Sequence, residues 1–158
     1  MYSKKLGKST TVSEYFTNNS HNLVFNEYYG FQVADVPMDI VLGEEVLRKI
    51  DNMFAINLAG IVKLERNRCY KWHQDAKRGV SINMLLSSGD SHCLFGSDSE
   101  SDDQYKITEL KYEPETFYLF NNQIMHTVIN FDKPRYLFTV EFVKDKDELT
   151  YSDVFMSL

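Results

Sequence analysis

Val80-Ser81-Ile82-Asn83-Met84-Leu85-Leu86 is the stretch on which the fold turns. Val80, Ile82, Met84 and Leu86 fall at every second position, with Ser81, Asn83 and Leu85 between them. Side chains on a strand alternate between faces, so this pattern predicts a strand with one strongly apolar side. Outward from it, Cys93–Phe95, Tyr105–Tyr112, Thr116–Phe120, Ile124–Asn130 and Arg135–Val143 read the same way, rich in β-branched and aromatic residues. Ser88-Gly89-Asp90, Glu113-Pro114 and Asp132-Lys133-Pro134 supply the turns. Many short strands on short turns predict a mainly β domain of the sandwich or jelly-roll type.

Before this region the period changes. Val46, Leu47, Ile50, Met53 and Phe54 form a helical stripe over Glu44–Phe54, with Glu44 and Glu45 suited to its positive end. Tyr136, Phe138, Val140 and Phe142 share one side of the last strand and offer that helix a seat. Residues 1–20 are polar and rich in Ser, Thr and Asn, which predicts a loosely held start.

The chain has 158 residues, 43% of them hydrophobic and 25% charged, which suits one globular domain. Met53–Val62 is too short an apolar run to span a bilayer, and the first residues contain no apolar signal core. Two cysteines, Cys69 and Cys93, make no disulfide framework. A soluble cytoplasmic protein is the expectation. The net charge of −6 argues against a nucleic-acid partner. Charge is nonetheless uneven. Lys63, Arg66, Arg68, Lys71, Lys77 and Arg78 cluster in sixteen residues, and Asp98, Glu100, Asp102 and Asp103 form an acidic loop that suits solvent better than a lid.

The basic cluster surrounds Tyr70-Lys71-Trp72-His73-Gln74-Asp75. On a strand His73 and Asp75 would share a face, an imidazole beside a carboxylate. Two histidines and one carboxylate form the facial set of non-haem Fe(II) sites, so a second histidine is required. His126 lies 51 residues after Asp75, and Arg135 nine residues after His126. Arg135 is expected on the inner face with Leu137, Thr139 and Glu141, where a guanidinium is costly unless a carboxylate pairs with it.

His73-x-Asp75, His126 and Arg135, in that order within a strand-rich half, resemble the Fe(II)- and 2-oxoglutarate-dependent oxygenases. The stretch Pro114-Glu115-Thr116-Phe117-Tyr118-Leu119-Phe120, with His126-Thr127-Val128-Ile129-Asn130 and Pro134-Arg135, is similar to their hydroxylase-like branch. The resemblance covers roughly residues 59–143. It implies a double-stranded β-helix, jelly-roll or cupin-like, with an N-terminal helical cap: residues 1–58 as cap, 59–143 as core and 144–158 as a C-terminal extension. It also implies Fe(II) on His73, Asp75 and His126, with 2-oxoglutarate as cosubstrate, its far carboxylate held by Arg135. Oxidative decarboxylation to succinate and CO2 would accompany hydroxylation of a protein side chain or a small polar molecule.

Two departures bear on this. Many relatives carry Ser or Thr two residues after the arginine, where this chain has Leu137, and Asn83 is the expected substitute. The Trp-His-x-Asp order is similar to that of nucleic-acid-demethylating members, but Glu141 stands where they usually have a second arginine. Lys71 and Arg78 are expected to meet a substrate, possibly anionic. The rival readings are a cupin-like metalloenzyme that does not use 2-oxoglutarate and a non-catalytic binding module on the same fold.

Overall fold

The computed structural model describes residues 1–28, 30–98 and 105–158. Most of the acidic run, from Glu100 to Asp103, therefore lies outside the described residues. The chain runs β1 (Ser3–Lys8), α1 (Thr11–Asn19), β2 (Asn26–Tyr28), β3 (Phe31–Asp35), α2 (Met38–Gly43), α3 (Glu45–Phe54) and β4 (Ile56–Leu64). It continues through β5 (Arg68–Cys69), β6 (Val80–Ser87), β7 (Ser91–Asp98), β8 (Tyr105–Leu110), β9 (Thr116–Asn121), β10 (His126–Asn130), β11 (Arg135–Phe142) and α4 (Tyr151–Ser157).

Two antiparallel sheets result. The larger has the order β1-β9-β6-β11-β4-β3-β2 and the smaller β5-β10-β7-β8. This is a jelly-roll of the cupin type. The alternation on β6 and β11 sorts their side chains. Val80, Ile82, Met84, Phe138, Val140 and Phe142 pack in one cluster with Val12, Val41, Leu47 and Ile50 of the helices. The opposite face of the larger sheet looks at the smaller one, and Leu64, Phe120, Cys93, Phe95 and Val128 fill the space between. The polar positions of β6 and β11 therefore face the interior of the roll.

Residues 1–58 do more than cap this core. β1, β2 and β3 extend the larger sheet at both edges, β1 on β9 and β3 on β4. Ser-Lys-Lys-Leu-Gly-Lys carries no strong alternation, because an edge strand pairs on one side only and its lysines discourage further pairing. Glu44 also differs from expectation. It lies before α3, yet its buried carboxylate accepts from Ser9 Oγ and from the amides of Thr10 and Val12, serving the start of α1. Both cysteines are free. Among the described residues no helix is long and apolar enough to cross a membrane.

Phe138 is fully buried between the helices and the larger sheet, against Phe117 at 5.8 Å between ring centroids. Phe138→Ala should therefore lower the unfolding free energy by about 3–5 kcal/mol. The exposed Met156 →Ala change should cost no more than about 0.5 kcal/mol. Urea unfolding followed by circular dichroism reads both.

Candidate metal centre

Residues 70–79 carry the centre, and they do not form the expected strand. His73 makes one isolated bridge to His126, and the rest is irregular. The backbone still holds the segment along β10. Tyr70 N donates to Val128 O, His73 N to His126 O, His126 N to His73 O, and Asp75 N to Asn122 O, at 2.9–3.1 Å. Gln123 Nε2 closes the loop by donating to the carbonyls of Asp75 and Arg78. Gly79 admits the chain that follows β11, since a Cβ there would lie 2.3 Å from Leu149 O. His73 and Asp75 thus converge through long-range backbone bonds, without strand parity.

The rings of His73 and His126 lie 4.3 Å apart between centroids. Asp75 Oδ1 is 3.5 Å from His73 Nε2 and 3.7 Å from His126 Nε2. One donor atom from each of the three residues lies within 4.8 Å of the others. Two donors about 2.1 Å from one ion can be no more than about 4.2 Å apart, and both carboxylate–imidazole distances meet that limit. The outward nitrogens are fixed too. His73 Nδ1 lies 2.7 Å from Lys71 O and His126 Nδ1 2.8 Å from Ile124 O. A carbonyl can only accept, so each neutral ring carries its proton on Nδ1 and leaves the Nε2 lone pair turned toward Asp75.

The other oxygen of Asp75 is fully engaged. Oδ2 accepts from Arg78 Nε and Nη2, both at 2.7 Å, and from Asn122 Nδ2 at 2.9 Å. Arg78 Nη1 reaches Thr139 Oγ1 at 3.3 Å, and that hydroxyl donates to Asn83 Oδ1 at 2.7 Å. The pKa values of the two histidines are shifted in opposite directions. The hydrogen bond to Asp75 raises the pKa of His73, whereas burial lowers that of His126. Burial works to raise the Asp75 carboxyl, but His73, Arg78 and His126 together hold it below its ordinary value.

Deeper in the roll, Arg135 is 3% exposed. No carboxylate of the described residues pairs with it, and its Nε has no partner. Its guanidinium carbon lies 5.8 Å from the centre of the Tyr112 ring. The hydroxyls of Tyr70 and Tyr112 are likewise buried without partners. Burial pushes the Tyr70 phenol up to about 12, the Tyr112 phenol well above its ordinary value and the Cys93 thiol to about 11, so all three stay neutral. Arg135, Tyr112, Cys93, Leu85 and Leu110 line a cleft of about 400 Å³. Arg135 shares a face of β11 with Thr139, four residues or about 13 Å along the strand.

Asn83 is buried between these two regions, its Oδ1 accepting from Thr139 and Ser81. The Tyr112 phenol lies next to it without a well-formed hydrogen bond. Lys71 is exposed and meets the centre through its carbonyl. Arg78, expected to face substrate, is bound to Asp75 and Thr139 while its side chain stays about a third exposed. His92 is tied to Glu109 and Asp90 away from the triad. Asn122, Gln123 and Tyr112 come to the site as well. Only tertiary pairing brings them there, and their local sequence carries no signal of it.

No protein-family model matches the chain, and no curated protein matches it. Solved structures do share its fold. A 2OG-Fe(II) oxygenase family oxidoreductase from Burkholderia pseudomallei superposes with a TM-score of 0.62 at 12% identity, over 88% of this chain and 80% of that one. A Pseudomonas putida prolyl-4-hydroxylase gives 0.60 at 11%, over 90% and 92%. HygX from Streptomyces hygroscopicus, with nickel, 2-oxoglutarate and hygromycin B bound, gives 0.59 at 10%, over 87% and 80%. At such identities the likeness is one of fold.

The two imidazoles make a direct check on the centre's electrostatics. In the metal-free protein, NMR titration should place the His73 pKa above 6.5 and that of His126 below it. Asp75→Asn removes the charge that favours the His73 imidazolium, so His73 should then titrate at lower pH than in the parent. An unchanged His73 titration would mean that Asp75 does not govern it.

Proposed function

We propose that the protein is a non-haem Fe(II)- and 2-oxoglutarate-dependent oxygenase that hydroxylates a protein side chain or a small polar molecule. The observation that carries this reading is Arg135. A buried guanidinium without a carboxylate partner is costly, and removing the cost takes an anion. Its surroundings suit a carboxylate. The cation supplies a two-pronged donor, and the neutral phenol of Tyr112 lines the same cleft. Tyr112 would give the help that Leu137 cannot. The fold and the His-Asp-His triad support the same conclusion.

In this reading His73 Nε2, His126 Nε2 and Asp75 Oδ1 hold the iron, Lys71 O and Ile124 O keep the imidazoles in the ligating tautomer, and Arg135 holds the distal carboxylate of 2-oxoglutarate. Bound together, iron and 2-oxoglutarate supply oxygen activation coupled to release of succinate and CO2. The protein's part is orientation. The side chain of His73 is 31% exposed against 8% for His126 and 11% for Asp75, so the triad opens on the His73 side and substrate approaches there. Lys71 lies on that side, which keeps an anionic group within the substrate's range.

Anaerobic addition of Fe(II) and 2-oxoglutarate should produce the weak visible charge-transfer band of the chelate, and admitting oxygen should yield succinate. Folded protein showing neither would favour a cupin-like metalloenzyme that does without 2-oxoglutarate. Arg135→Met separates the anion site from the metal. It should weaken 2-oxoglutarate binding by about 2 kcal/mol or more while metal affinity holds. The ligand-free variant should also melt no lower than the parent, because an unpaired buried charge has been removed. Equal loss of metal and cosubstrate would make Arg135 a purely structural residue.

A further inference from the structure

We propose that Arg78 is a positioning residue for Asp75, confining the carboxylate to a single donor oxygen and so keeping one coordination position open for the cosubstrate. The inference rests on the iron and 2-oxoglutarate reading and extends it to a residue outside the ligand set. A carboxylate can hold a metal through one oxygen or two. Three single-atom protein ligands leave three positions on a six-coordinate ion, which a chelating 2-oxo acid and oxygen together fill. A bidentate Asp75 would leave only two.

The geometry fixes which case holds. Three N–H donors, two from Arg78 and one from Asn122, converge on Oδ2 at 2.7–2.9 Å, while Oδ1 alone turns to the imidazoles. Swinging Oδ2 toward a metal would break all three bonds. Arg78 cannot easily follow, because Nη1 is anchored on Thr139 and its carbonyl on Gln123. The guanidinium also offsets the carboxylate's negative charge, which lowers the centre's attraction for a divalent cation. Arg78 thus favours an open position at the expense of metal affinity.

That trade gives the test a direction that a scaffold role would not share. With Co(II) as probe, visible absorption reports both metal uptake and, on adding 2-oxoglutarate, the change in coordination. In Arg78→Met the Co(II) affinity should stay within about threefold of the parent or tighten, while 2-oxoglutarate binding to the Co(II)-loaded protein weakens about tenfold or more. Arg78→Lys, which keeps the charge and one donor, should recover part of that loss. Asn122→Ala should move the same way by less, and serves if Arg78→Met does not fold. Parallel loss of Co(II) and 2-oxoglutarate in folded variants would overturn the proposal, as would variants that bind both like the parent. A parent protein whose Co(II) spectrum ignores 2-oxoglutarate would remove the cosubstrate reading and this inference together.

Discussion

The site depends on the lashing of an irregular segment to a regular strand. Residues 70–79 form almost no secondary structure of their own, yet paired backbone bonds between His73 and His126 align the segment with β10. The Asp75 amide on Asn122 O and the Gln123 side chain on two loop carbonyls fix the far end. These bonds bring an imidazole and a carboxylate from the loop to an imidazole from the strand. The surrounding sheets, with Phe95 and Phe120 against the His126 ring, make the place dry enough for the arrangement to matter.

Polarity in this interior is graded. Around Asp75 every charge has a partner, and the network passes from Arg78 through Thr139 to Asn83. Around Arg135 no carboxylate of the described residues pairs with the charge and Nε lacks a hydrogen bond, as do the phenols of Tyr70 and Tyr112. A folded chain carries few such groups. A buried guanidinium that no carboxylate pairs with lowers stability at that end of the roll.

Much of this was legible in the sequence, for reasons that can be named. The alternation in Val80–Leu86 and Arg135–Phe142 set which side chains face the helices, and so placed Asn83, Thr139 and Arg135 inside. The order His73, Asp75, His126, Arg135 singled out three side chains that the fold brings together and a fourth that it buries. Parity gave the wrong local geometry for His73 and Asp75, whose convergence comes from pairing with distant residues. Arg78 looked like one more cation in a basic run, because nothing local shows that it folds back onto Asp75. Nothing local marks the phenols of Tyr70 and Tyr112, since burial of a hydroxyl without a partner is a property of the folded interior alone. β1 went unseen because an edge strand of lysines has no apolar face to repeat.

Three side chains from two distant segments are placed to hold one metal ion. Titration of the metal-free protein with Mn(II), followed by calorimetry, addresses this most directly. One ion per chain is expected, with His73→Ala, Asp75→Ala and His126→Ala each abolishing tight uptake while the fold persists. Uptake that survives all three substitutions, or a folded parent that takes up no metal, would contradict the claim.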